Sequence, residues 1–536
     1  DEMSGSNTRY KAGVAPLDQW VNSAEGNFQA KLEELFEKYP LGKLGFNRSR
    51  QAMNELVDTI FGKVSNDIDV NNISKAWNDL THNTIRKRWV NASGGEEIAE
   101  LKDWAIRRSD KPHVIRKAGF DKWYNKIHDQ IRLDRVVPEI NENTGKPLNP
   151  VKREAVIKKV LKSVYENIVS EGATKIDTRD LRPYVSMAMG NRHKDHRLIH
   201  FKDGPSYRAY HEEFGNTDYV DNMIGYGNMM AKEIAAMEKF GPNPDHVVNA
   251  IYKMVEGAGN TRAAELGMNS YNLIMGQNVG KSTKFGQIAQ TARNVTIGNK
   301  IGSAIIPATS DAFFTAITAA YDDFKPLKAV LSGMANLASK SRRGRGRKAL
   351  LRTGYMADYA MSRANAAARY AEVTGYGATA RYADVMTRLS GLNLWTEAWK
   401  DSYQLNALNV MHEWAGGSFE DLSKRGRNLM DKVGLTADDW AEVQALRTTQ
   451  EGFDMLDVTK ASPELAAKIV SIVKGETVFA VPEATIKSRA MLQFGTKRGT
   501  AGGEAIRTAM VFKSFPTSMV LTHLARAFEK GAPLKQ

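Results

Sequence analysis

Apolar residues in this chain recur mostly at the three- and four-residue spacing of helices, and helix start and stop signals bracket them. Ser462-Pro463-Glu464 supplies a cap, a proline at the first helical position and an early acid; Leu465, Ile469, Val470, Ile472 and Val473 follow, and Gly475 reads as the stop. Asn243-Pro244 opens a second segment, with Val247, Val248, Ile251, Met254 and Val255 as its stripe and Gly257 at its end. Thr436 to Asp439 has the form of a capping box ahead of Trp440, Val443 and Leu446. Alternating patterns are scarce. Leu198–Phe201 before Asp203-Gly204 is the best strand signal, and Arg135–Pro138 is weaker because proline cannot donate to a central ladder. The pattern predicts a mainly α, elongated multi-domain helical protein with long irregular connections and few short strands.

Punctuation divides the chain into an N-terminal helical region (1–140), a helical domain with a His-rich segment (151–270), an apolar segment with a basic hinge (271–348) and a C-terminal helical domain (349–536). Asn141–Pro150, with two prolines, a glycine and three asparagines, reads as the first linker. No repeat of solenoid period is visible.

Composition adds three bounds. Hydrophobic content of 42% and charged content of 25% over 536 residues are those of a globular protein with room for large cores. The net charge of +14 favours polyanionic partners, either nucleic acid or anionic lipid. The absence of cysteine excludes disulfides and thiolate metal sites. No secretory leader pattern follows Asp1, and no uninterrupted apolar run reaches the length of a membrane span.

Two stretches stand out as surfaces. Ile301–Tyr321 is strongly apolar, but Pro307 and Asp311 interrupt it, so it suits conditional membrane contact through Ile305, Ile306, Phe313, Phe314 and Ile317 rather than a permanent span. Ser341–Lys348 carries Arg342, Arg343, Arg345, Arg347 and Lys348 on a glycine-broken backbone, which reads as a hinge that holds phosphates of DNA or lipid. Downstream, arginines and tyrosines interleave from Arg352 to Tyr382, a pattern suited to single-strand stacking or bilayer interfaces.

Signatures of chemistry are weak by comparison. Gly276-Gln-Asn-Val-Gly-Lys-Ser282 mimics a phosphate-binding loop but has three residues between its glycines where four are needed. His193, His196, His200 and His211 cluster in a polar, irregular stretch without the intervening glutamate of a metalloprotease helix. There is no Gly-x-Ser-x-Gly elbow and no thiol. The expectation is a protein that is not an enzyme and uses no cofactor and no metal.

Three stretches read in order carry a resemblance. They are Arg197–Gly215, which contains Phe201-Lys-Asp-Gly-Pro; Leu389–Trp399, Leu-Ser-Gly-Leu-Asn-Leu-Trp-Thr-Glu-Ala-Trp; and Phe494–Glu504 followed by Phe512-Lys-Ser-Phe-Pro516. With the Lys239-Phe-Gly-Pro-Asn-Pro244 turn, they resemble the internal virion (ejection) proteins of tailed bacteriophages and the related large polyvalent proteins of phages and mobile elements. The resemblance runs from about Met187 to Phe528 and leaves residues 1–150 without a match. It implies a component stored inside the capsid and released at infection into the host periplasm and inner membrane, where it forms part of a conduit for genome delivery. The partners it implies are further copies of the chain, other ejection, core or portal proteins, phage DNA, and the bacterial inner membrane or periplasmic components. The alternative it leaves is a polyvalent protein delivered with DNA that acts on or protects nucleic acid in the host cell.

Overall fold

The computed structural model describes residues 15–38, 50–95, 110–140, 146–170, 199–278, 283–300, 310–355, 382, 385–386, 392–511, 513–520 and 526. These residues are mainly helical, with a single two-stranded sheet among them.

The first half runs α1 (Leu17–Lys38), α2 (Arg50–Ile60) and α3 (Ile68–Asp79), which continues through a π-helical stretch at Leu80–Arg86 into α4 (Lys87–Ala92). Then come α5 (Pro112–Ala118), α6 (Phe120–Gln130), the single turn α7 (Leu133–Val136) and α8 (Pro150–Val169). They are followed by α9 (Gly204–Phe214), α10 (Tyr219–Phe240), α11 (Pro244–Gly257), α12 (Thr261–Ile274) and α13 (Lys284–Lys300). One apolar cluster gathers buried side chains from Leu17 to Ile274. Both sides of the Asn141–Pro150 stretch feed it, with Trp123 and Ile127 from α6 and Ile157 and Leu161 from α8.

The first resemblance motif is an aromatic wedge in this core. Asp203 caps α9 by accepting the Ser206 N–H at 2.8 Å. A Cβ on Gly204 would meet Asp58 at 2.5 Å, so only glycine lets α9 seat on α2. Phe201, Tyr207, Tyr210 and Phe214 are buried, and the His211 ring stacks on Tyr207 at 3.9 Å while its Nδ1 meets the Tyr207 carbonyl at 2.7 Å. Phe201 makes one antiparallel bridge, to Ile131, where the spacing predicted a strand. Arg135 and Val136 fall in α7.

The second half runs α14 (Asp311–Tyr321), α15 (Pro326–Ala338), α16 (Lys340–Arg352) and α17 (Leu392–Trp414), then α18 (Lys424–Val433) and α19 (Ala437–Ala445). The strands β1 (Arg447–Gln450) and β2 (Phe453–Leu456) pair antiparallel, and α20 (Pro463–Ala480), α21 (Ile486–Gln493), α22 (Ala501–Ala509) and α23 (Ser514–Met519) follow. A second apolar cluster spans Ala319 to Val481 around α17 and α20. The capping box at Thr436 and Asp439 forms as the spacing predicts, with both reciprocal bonds present. The predicted stop at Gly475 does not hold. It is buried inside α20, which continues to Ala480 because packing on all sides removes the need for a glycine terminator.

Helix α1 joins the two halves, packing on α10 as well as on α16 and α20. The approach is close. A Cβ on Gly26 would lie 1.9 Å from the Gly354 carbonyl oxygen, and one on Gly227 would lie 1.8 Å from the Phe28 ring.

Candidate membrane-contact site

Helices α14 and α15 form a hairpin whose turn is locally determined. Asp323 adopts a left-handed φ of 63°, and Pro326 opens α15 at its first position. Beneath the hairpin lie α17 and α20. A Cβ on Gly333 would come within 2.4 Å of the Trp399 ring, so that glycine sets how closely α15 sits on α17.

The hairpin is inside-out. On α14 the buried positions are Asp311, Thr315, Thr318 and Ala319, and Asp322 at its C-cap is buried too, a largely polar stripe at helical spacing. On α15 they are Ala329, Gly333 and Asn336. Five large apolar side chains point the other way, while Val330 and Leu337 pack partly against the second cluster. Phe313 is 63% exposed, Ile317 45%, Leu327 71%, Leu331 55% and Met334 53%, whereas Thr315 and Asn336 are fully buried. A soluble surface helix ordinarily has the reverse arrangement. Two adjacent helices that both turn apolar side chains outward make a shared apolar face, of the kind that marks a contact site for protein or membrane.

Specific partners meet the polar side chains of α14, whereas the Asn336 side-chain amide of α15 is buried without a hydrogen-bond partner among the described residues. Trp395 Nε1 donates to Asp311 Oδ2 at 3.2 Å, Thr315 Oγ1 donates to the Ala480 carbonyl at 3.2 Å and Tyr403 OH donates to Asp322 Oδ2 at 2.6 Å. Burial pushes the Asp311 carboxyl up to about 7, against the Trp395 hydrogen bond and the Lys400 charge. Burial and the adjacent Glu476 push Asp322 up as well. Against the cost of burial, Arg526 and Lys432 hold Glu476 below the usual carboxylate range. The Arg526 guanidinium pairs with Glu476 and lies 4.3 Å from the Tyr321 ring centroid and 3.6 Å from that of Phe479. These contacts bind the end of α14 to α20 through a residue near the C-terminus.

The structure brings together part of the set that the sequence picked out. Phe313 and Ile317 lie on the exposed face, and Phe314 is half-buried. Ile305 and Ile306 lie outside the described residues. Leu327, Leu331 and Met334 lie within the 301–340 region expected to contact membrane but were not singled out, although their spacing of four and three is legible, because such a stripe ordinarily faces a core.

The basic stretch differs from its sequence reading. It is not a loosened hinge but the helix α16, capped by Ser339 through the Arg342 N–H. Gly346 is there for close packing: a Cβ would meet Leu405 at 2.8 Å. Arg347 pairs with Asp401 at 2.8 Å and Glu397 at 2.5 Å, both on α17. Lys348 pairs with Glu37 at 2.5 Å and Glu451 at 3.1 Å. Arg343 donates to the Asn336 carbonyl at 2.7 Å, and Arg342 donates to Ser332 and lies over the Phe453 ring. Arg345 alone of the five is exposed without a partner among the described residues.

The other candidates resolve into structural roles where they are described. Gly276 ends α12 with a φ of 69°, and residues 279–282 of the loop lie outside the described residues. His193 and His196 also lie outside them. Among the described residues no group of three or more acidic or histidine side chains is placed to hold a metal, and no helix is long and apolar enough to cross a membrane. The chain matches no family model, no curated protein and no solved structure.

Proposed function

We propose that this chain is an internal virion protein of the tailed-phage ejection type, and that after release it engages the host inner membrane through the outer face of α14 and α15. The single observation that carries the reading is the inverted hairpin, which presents Phe313, Ile317, Leu327, Leu331 and Met334 to solvent while it buries threonine, asparagine and aspartate. The order and spacing of the three resemblance motifs supply the phage context.

The hairpin suits the interface rather than a span. Helices of 11 and 13 residues are about 17 and 20 Å long, against a hydrocarbon core of about 30 Å. At roughly 2 kcal/mol for each fully buried large apolar side chain, the still-exposed share of the five amounts to about 6 kcal/mol before the cost of immobilisation. That supports weak contact by one copy and firm contact by an oligomer, whose copies act together.

Mass spectrometry of purified particles, with fractionation of infected cells, tests the assignment. Many copies in the particle, recovered in the envelope fraction soon after adsorption, are expected. Absence from particles, or recovery in the cytoplasm alone, contradicts it.

A further inference from the structure

The chain's excess positive charge needs a location. Four of the five cations of the 342–348 stretch are engaged inside the fold, so that stretch is not where it is free to act.

Helix α8 has the opposite character. Asn149 caps it, accepting the Val151 and Lys152 N–H groups, and Pro150 opens it. Ile157, Leu161 and Ile168 anchor one face in the first apolar cluster, against α5 and α6. The helix carries Lys152, Arg153, Lys158, Lys159 and Lys162 against only Glu154 and Glu166. Arg153 turns inward to the Val137 carbonyl at 3.0 Å, Lys158 lies over the Tyr124 ring, and Glu154 is taken by Tyr124 and His128. Lys152, Lys159 and Lys162 are exposed and have no ion-pair partner among the described residues. At 100° per residue they fall within a sector of about 80°, spread along about 15 Å of helix.

We propose that this outer face of α8 is a duplex-DNA contact surface that grips the phosphate backbone without reading sequence. Duplex DNA presents one phosphate charge per about 1.7 Å of axis, so 15 Å of helix faces several phosphates and all three ammonium groups find a partner. Lysine supplies a flexible point charge rather than a bidentate fork, and the face has no arginine, asparagine or glutamine to address base edges. Its apolar content is confined to the small side chains Ala155 and Val156 and the terminal Val151, with no aromatic anchor for a bilayer. Charge complementarity therefore selects nucleic acid. The inference does not depend on the membrane contact proposed for the hairpin.

The test is the affinity of the full chain for a duplex of mixed sequence at 50 to 200 mM salt, set against Lys152→Gln, Lys159→Gln and Lys162→Gln combined. These positions are solvated, so circular dichroism of the triple variant matches the parent. Three phosphate contacts contribute about −2.7 to the log–log salt slope, or about a 40-fold loss of affinity across that range. The triple variant is expected to bind more weakly on every sequence, with the slope flattened by about that amount. An unchanged slope and affinity overturns the proposal and leaves α8 a solvated face. So does a variant that keeps DNA binding but loses binding to phosphatidylglycerol vesicles, which assigns the face to lipid.

Discussion

Truncating Arg526 to alanine is the sharpest perturbation of the polar layer beneath the hairpin. Its guanidinium is buried between the Tyr321 and Phe479 rings, pairs with Glu476 and lies 4.0 Å from Asp322. Removal leaves the Glu476 charge buried with Lys432 as its remaining cationic support. Breaking a buried pair from one side costs about 3–5 kcal/mol, and part of that is the two ring contacts. A loss of about 4 kcal/mol raises the local opening population about a thousandfold. Hydrogen exchange of residues 311–321 and 463–480 reads this directly and does not require the whole chain to unfold as one unit. Adding Glu476→Gln to Arg526→Ala removes the stranded charge and should recover at least tenfold of the lost protection. The pH dependence has a definite sign. Without Arg526 the Glu476 carboxyl is no longer held down, so protonation relieves the variant. Its deficit is smallest in acid and grows as pH rises. If exchange in both helices stays within threefold of the parent, or the double variant is merely additive, the cluster does not fasten α14 to α20.

Two further outcomes follow from the same packing. Gly26→Ala forces a methyl group against the Gly354 carbonyl oxygen, which belongs to the backbone and cannot rotate away, so thermal unfolding should show a loss of about 3 kcal/mol or more at the α1 contact. Asp311 has its carboxyl raised to about 7, so the stability it contributes is full below the ordinary aspartate range and is lost as pH climbs through 7; Asp311→Asn should flatten the urea-unfolding midpoint against pH between about 4 and 7.

What could be read from the sequence was local, and what escaped was tertiary. The Thr436–Asp439 box and the Asn243-Pro244 start form because caps depend on neighbouring residues only. The mainly helical class followed from the same signals. The hairpin Arg447–Leu456 was missed although a signal existed. Glu451 and Gly452, with φ of 52° and 82°, make a two-residue turn of the kind that joins strands, but Glu-Gly is a weak form of it. Gly475 and the glycines of α16 were read as breaks because composition does not say whether a glycine ends a helix or lets another helix approach. The cations of α16 were read as free because their acidic partners, Glu397, Asp401, Glu37 and Glu451, lie far away in the chain. The apolar character of 301–321 was plain. Which side of each helix faced inward was not, since periodicity gives two faces and burial chooses between them.

The central claim is that the outer face of α14 and α15 contacts a bilayer. Flotation of the full chain with vesicles of phosphatidylethanolamine and phosphatidylglycerol, with and without Phe313→Asp and Leu331→Asp together, tests it most directly. Both positions are exposed, so the variant is expected to keep the parent's circular dichroism and thermal midpoint. The face is already open, so the parent is expected to float without any denaturing trigger, and the variant to remain at the bottom of the gradient with at least tenfold less bound. A parent that does not float, or a variant that floats equally well, contradicts the account.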